Sequence, residues 1–168
     1  MIRAVRMPED SRGSLLLSRM PGCKGSFEQE SAQIAQSADW VISLTSAAET
    51  SLRSARYGTA IENGTLPWER VEFAIKDFGV PQACQHDDFV SLVRQAASRI
   101  RQGQRVLVHC AGGIGRTGTI ATCILMALGL DLPAAITHVK AAGSHAETSE
   151  QAEFAALVQI RLREIGDL

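Results

Sequence analysis

Residues 105–128 read RVLVHCAGGIGRTGTIATCILMAL, and the fold turns on how the middle of that stretch is parsed. Val106, Leu107 and Val108 are strand formers in a run short enough for a buried strand, expected over residues 105–109. Residues 117–128 are almost wholly apolar and of helical length. Between them lie Ala111, Gly112, Gly113, Ile114 and Gly115, a strand-to-helix turn with three glycines. Read from Gly113, the chain spells Gly-Ile-Gly-Arg-Thr-Gly, a formal match to the dinucleotide fingerprint. Read from Cys110, it spells a cysteine followed six positions later by Arg116.

The nucleotide readings fail on context. A dinucleotide fingerprint belongs to an early βαβ unit, with an acidic residue about 20 positions on, at the end of the next strand. Asp131 stands near that distance but follows a long helix with no strand before it. A phosphate loop of the Walker type needs a lysine between glycine and hydroxyl, and Gly115-Arg116-Thr117 has none. The cysteine reading fits better. Glycines let successive N–H groups converge as a nest for an anion, at a helix N-terminus that already favours negative charge. A cysteine at the lip of such a nest has its thiolate stabilised. Arg116 adds a planar fork matched to two phosphoryl oxygens. The bland alternative, an inert packed thiol, suits mid-helix Cys123 better than Cys110.

Working outward, strand and helix patterns alternate. Leu15-Leu16-Leu17 reads as a strand closed by Met20-Pro21-Gly22. Ser26 can cap a helix carrying Phe27, Ile34, Ala35 and Ala38. Residues 40–44 form the next strand, residues 47–56 a weak helix, and residues 71–75 a third strand running into Lys76-Asp77-Phe78-Gly79-Val80-Pro81. Asp87 and Asp88 open a helix whose face is Phe89, Leu92, Val93, Ala96, Ala97 and Ile100. Residues 132–142 make a helix with Pro133 in its first turn, and the last helix carries Phe154, Leu157, Val158, Leu162 and Ile165. The expectation is one α/β domain spanning residues 1–168, with a central, mainly parallel sheet flanked by helices.

Composition narrows the function. With 168 residues, 45% hydrophobic and 21% charged, the chain has the profile of a soluble globular protein. A net charge of −1 leaves no basic field for nucleic acid, so no nucleic-acid partner is expected. The four cysteines form no C-x-x-C pair, and no metal site or cofactor is expected. MIRAVRMPEDSRG contains no secretory apolar run, and the longest apolar stretch is too short for a bilayer. Reduced thiols, a cytoplasmic setting, no membrane association and a monomer are the resulting expectations.

His109-Cys110-Ala111-Gly112-Gly113-Ile114-Gly115-Arg116-Thr117-Gly118 resembles the signature loop of cysteine-dependent protein tyrosine and dual-specificity phosphatases. The opening strand with Pro21-Gly22 resembles their small bacterial and kinase-associated branches. The resemblance runs from about Leu15 to Val158 and implies the phosphatase fold. It implies Cys110 as nucleophile, the 111–115 loop and Arg116 as phosphoryl cradle, and Thr117 as the hydroxyl assisting thiolate departure. It implies that His109 orders the loop and helps lower the thiol pKa. Residues 75–81 resemble the family's general-acid loop, which makes Asp77 the acid that protonates the leaving oxygen. Gln151, in a segment like the one that opens the family's last core helix, is the candidate to orient the hydrolytic water. A Thr148-x-x-Gln151 capping box would explain the same two residues. Glu147 reads as structural, and Cys84, near the acid loop, as a candidate redox partner of Cys110.

The implied activity is metal-free hydrolysis of a phosphate monoester, in phosphotyrosine or phosphoserine and phosphothreonine of proteins, through a cysteinyl-phosphate. The alternatives are a phosphoprotein-binding module without turnover and a phosphatase for a small, non-protein ester. The segment before Glu147 has only Lys140 where the family often carries more basic residues, a departure that bears on the substrate surface, and the lack of lysine in the loop argues against a phosphoinositide substrate.

Overall fold

The computed structural model describes residues 2–166. Five strands form one mixed sheet in the order β1-β2-β5-β3-β4: β1 (Arg3–Ala4), β2 (Ser14–Arg19), β3 (Trp40–Ser43), β4 (Glu69–Glu72) and β5 (Arg105–Cys110). β2, β5, β3 and β4 run parallel, and only the short edge strand β1 is antiparallel. Side-chain alternation sorts the strand residues between two faces. Leu15, Leu17, Trp40, Ile42, Val106 and Val108 enter the larger core. Leu16, Val41 and Leu107 enter the smaller one, with Ile34, Tyr57 and Trp68.

The larger face is covered by α4 (His86–Arg101), α5 (Gly115–Ala127), α6 (Leu132–Ala141) and α7 (Ser149–Glu164). The smaller is covered by α1 (Phe27–Ser37) and α3 (Ala55–Glu62), with α2 (Ala47–Arg53) leading into α3. All the α4 positions expected to face the core are buried. Every residue of α5 is buried, as a helix apolar on all sides requires. Two of its three buried threonines spend their hydroxyls on backbone: Thr119 Oγ1 donates to Gly115 O at 3.0 Å and Thr122 Oγ1 to Gly118 O at 2.9 Å. Ser26, Asp131 and Thr148 cap α1, α6 and α7 through their side-chain oxygens, each worth about 1 kcal/mol.

Several local expectations are corrected. The weak helix at 47–56 is two helices, broken at Ser54, whose ψ of 83° leaves the helical region. The third strand pairs over Glu69–Glu72 rather than 71–75, although Phe73 N and Ile75 N still donate to Ser43 O and Leu44 O, at 2.9 and 3.1 Å, before the acid loop begins. Leu157 and Ile165, read as core, are exposed, while Phe154, Val158 and Leu162 are buried. The two-residue β1 was too short to carry a periodic signal. Among the described residues, no helix is long and apolar enough to cross a membrane.

Candidate active site

β5 ends at Cys110 and α5 begins at Gly115, so residues 111–114 must reverse the backbone within a few bonds. Gly113 makes that turn at φ +74°, and a Cβ there would fall 2.4 Å from the Ser18 carbonyl oxygen. No other residue fits. The loop carbonyls turn away from its interior: Ala111 O accepts from Met20 N at 3.2 Å, and Gly113 O accepts from Ser144 Oγ at 2.7 Å. The C=O and N–H of a trans peptide point in opposite directions, so the Gly112 and Ile114 N–H groups face inward. Gly113 N–H donates to Cys110 Sγ at 3.2 Å. The result is a nest of amides around a buried thiol, 3% exposed. Behind it, Gly118 lies against the 145 backbone so closely that a Cβ would meet His145 N at 2.5 Å.

Arg116, in the first turn of α5, gathers the surrounding elements. It holds Glu49 of α2 bidentately, Nη1 to Oε2 and Nη2 to Oε1, both at 2.8 Å. Nη1 also donates to Ile75 O at 2.8 Å, and Nη2 meets Asp77 Oδ1 at 2.9 Å. Arg53 reaches Asp77 Oδ2 and Glu49 Oε1, each at 3.4 Å. Hydrogen bonding to Arg116 holds the Glu49 carboxyl below the usual carboxylate range, against the opposing effect of its partial burial. Asp77 is therefore brought to Arg116, as the position of its loop implied. Phe78 beside it stands 58% exposed, with φ +59°.

The acid loop is fastened to α7. Thr148 Oγ1 donates to Phe78 O at 3.3 Å, and Gln151 Nε2 donates to Gly79 O at 3.2 Å. Gln151 N donates to Thr148 Oγ1 at 3.2 Å, the forward arm of a capping box. The return arm goes elsewhere: Gln151 Oε1 accepts from Glu147 N at 2.8 Å. Gln151 is fully buried, and Glu147 and Gln151 both lie against Gly115, where a Cβ would meet their oxygens at 2.2 and 3.0 Å. Thr117 Oγ1 is buried without a hydrogen-bond partner among the protein atoms.

His109 orders the loop from within the sheet but carries no charge. Its Nδ1 lies 3.4 Å from the Cys110 carbonyl, which can only accept, so the proton is assigned to Nδ1. Nε2 then accepts from the Tyr57 hydroxyl at 3.0 Å. Complete burial drops the imidazole pKa to about 3, with Arg70 and Arg116 adding to the effect. A neutral ring acts on the loop through its position and its two hydrogen bonds.

The cysteines divide differently from expectation. Cys84 is exposed on the short 3-10 turn Ala83–Gln85, with Gln82 Oε1 at 3.9 Å. Cys23 instead stands at the signature loop, its Sγ 3.9 Å from Ala111 O. Cys123 is buried in mid-helix and its thiol pKa is pushed up by burial, as an inert thiol requires. Glu49, Arg53, Tyr57 and Ser144 were not anticipated. Glu49 was hidden by its local role, since its N–H donates to the Ser46 cap of α2 at 3.2 Å. Among the described residues, no group of three His, Cys, Asp or Glu could hold a metal ion.

Residues 23–166 match the family model described as the Swiss Army Knife protein DSP-PTPase phosphatase domain, PTP-SAK. The chain belongs to this family. A solved structure of Tk-PTP in its active form is 28% identical, over 92% of this chain and 99% of that one, with a TM-score of 0.66. A kinase-associated phosphatase whose catalytic-site cysteine is replaced by serine has the same fold, at 16% identity and TM-score 0.82, covering 97% and 96%. PTPMT1 in complex with PI(5)P shares it at 19% identity and TM-score 0.68, covering 94% and 97%. This member of the PTP-SAK family is a cysteine-based phosphatase domain of the dual-specificity type, acting on phosphorylated substrates.

Proposed function

We propose that this PTP-SAK domain, residues 1–168, works as a cytoplasmic monomer without cofactor and hydrolyses phosphoprotein monoesters. Phosphotyrosine is the first substrate class, phosphoserine and phosphothreonine the second. One observation carries the reading: Arg116 joins the Cys110 loop, Asp77 of the acid loop and Glu49 in one cluster. The Cys110 thiolate attacks phosphorus, with the 111–115 amides and Arg116 holding the equatorial oxygens. Asp77 leaves Arg116 as the phosphoryl group arrives, takes up a proton from solvent and passes it to the leaving oxygen. The Thr117 hydroxyl, otherwise unpartnered, hydrogen-bonds the sulfur as the phosphocysteine breaks. Asp77 then takes a proton from the water that attacks the phosphocysteine, with the second Nε2–H of Gln151, the one not spent on Gly79 O, orienting it, and free phosphate leaves.

Two features support an aryl protein substrate over a polyanionic lipid headgroup. Exposed Phe78 next to Asp77 offers an apolar face to a phenyl ring. Carboxylates of Glu49, Asp77 and Glu147 surround the cradle, and further phosphates on one substrate would meet them. The test is hydrolysis of p-nitrophenyl phosphate, a phosphotyrosine peptide and PI(5)P vesicles by wild type, Cys110→Ser and Asp77→Ala. Expected are loss of all turnover with retained phosphate binding in Cys110→Ser, and a fall of about a hundredfold or more in kcat for Asp77→Ala. Turnover surviving in Cys110→Ser refutes the mechanism; PI(5)P outperforming the peptide refutes the substrate class.

A further inference from the structure

We infer that Arg3 is a positioning residue for the phosphoryl cradle, aiming the Ile114 amide by gripping the carbonyl behind it. Arg3 lies on β1, outside the 23–166 segment that matches the family model. Its guanidinium bridges two carbonyls from different parts of the fold: Nη2 donates to Gly113 O and Nη1 to Gly143 O, each at 2.5 Å. The first grip acts directly on the signature loop. With Gly113 O held on the outside, the N–H of the same peptide unit, that of Ile114, must face the interior. That peptide most needs holding, because Gly113 has no side chain to restrain it and sits in the left-handed region.

The second grip places a helper. By fixing Gly143, Arg3 sets the α6–α7 connection so that Ser144 Oγ donates to the same Gly113 oxygen at 2.7 Å. Ser144 is fully buried, and the neighbouring His145 N reaches Ile114 O at 3.4 Å. One planar fork therefore pins the loop and the strap beneath it at once, a task for which a lysine, with a single ammonium, is poorly shaped. Arg3 also lies within electrostatic reach of Cys110; burial lowers its own pKa, and attraction to the thiolate opposes that shift.

The inference rests on reading residues 110–117 as the phosphoryl site. Its test measures phosphate binding in the whole chain, by the inhibition constant of inorganic phosphate against p-nitrophenyl phosphate and by the amide shift of Ile114 in 15N-resolved NMR. Arg3→Ala should raise the phosphate inhibition constant about tenfold, the loss of one charge-assisted hydrogen bond, and shrink the phosphate-induced shift of Ile114. Arg3→Lys should recover part of both. Ser144→Ala should act in the same direction, and the Arg3/Ser144 double variant should differ from the product of the two singles, because both donors serve one oxygen.

A merely structural Arg3 would lower the melting temperature of Arg3→Ala while leaving phosphate inhibition within about twofold, and that result overturns the inference. If Arg3→Ala does not fold, Arg3→Lys carries the decision: inhibition and Ile114 shift identical to wild type overturn it. Wild type that shows no Ile114 response to phosphate takes down the phosphoryl-site reading together with the inference. A wild-type response reproduced unchanged in the Arg3 variants takes down the inference alone.

Discussion

Lowering the pH should destabilise this domain through His109 by an amount the structure sets. The imidazole is fully buried and neutral, with a pKa of about 3, whereas in the unfolded chain it titrates near about 6.5. Between those values the unfolded state binds the extra proton, so stability rises with pH across the window. The His109 contribution is complete above about pH 6.5 and is withdrawn as the pH falls towards 3. Each unit below the unfolded value costs about 1.4 kcal/mol, so a step from pH 7 to pH 5 removes about 2 kcal/mol. Urea unfolding of wild type and His109→Gln at both pH values isolates that share, because every other titrating group is common to the two proteins. The substituted side chain keeps a carbonyl able to accept from Tyr57 but has no titratable ring. Wild type should lose about 2 kcal/mol more than the variant over the step, and the wild-type ring nitrogens should show no titration above pH 5. Equal losses, or an imidazolium signal at pH 6, would refute the neutral buried ring.

Glu49→Gln should loosen the Arg116 fork without touching the nucleophile, so KM for p-nitrophenyl phosphate should rise about tenfold with a smaller change in kcat. The paired carboxylate also makes the wild type acid-sensitive: its contribution is full above the ordinary glutamate value and fades as pH falls through the depressed one. Acid unfolding of Glu49→Gln should consequently be shallower than that of wild type. Mild hydrogen peroxide, followed by peptide mass spectrometry, should link Cys110 to Cys23 and not to Cys84. Peroxide takes the Cys110 thiolate to a sulfenic acid, and the Cys23 thiol displaces water to form the disulfide. Recovery of the Cys84 link would contradict the placement of Cys23 against the loop.

The parts of the molecule legible in its sequence are those encoded locally. The α4 face repeats at helical spacing, the strand–glycine–helix unit around Cys110 announces itself by composition, and all of these stand as read. The placement of Asp77 beside Arg116 was legible because its loop has a recognisable order of residues. What escaped was either short or tertiary. β1 has two paired residues and no pattern to detect, yet it delivers Arg3 to the loop. Glu49 reads as a helix-start residue, and its contact with Arg116 spans 67 positions. The charge state of His109 depended on the depth of the sheet around it and on Tyr57, 52 positions away. Spacing carries no information about such pairings.

The two carboxylates on Arg116 differ in a way that bears on the proposed catalysis. Glu49 takes one hydrogen bond from each terminal nitrogen, and the two stand in parallel at 2.8 Å. Asp77 takes one contact, from Nη2 at 2.9 Å, and its side chain is 44% exposed. A bidentate pair beside a buried guanidinium is hard to displace, while a single contact from a half-exposed carboxylate is cheaply exchanged for another anion. An incoming phosphoryl oxygen can take the Asp77 position on Nη2 with no loss of hydrogen bonds to Arg116. The exchange frees the carboxylate to take up a proton from solvent and hand it to the leaving oxygen. Arg53, at 3.4 Å from both carboxylates, remains to hold the displaced Asp77 close to the cradle. Substrate binding and release of the acid thus become one event on one nitrogen. For that to work, Glu49 must stay in place when Asp77 leaves, so that Arg116 never loses its orientation.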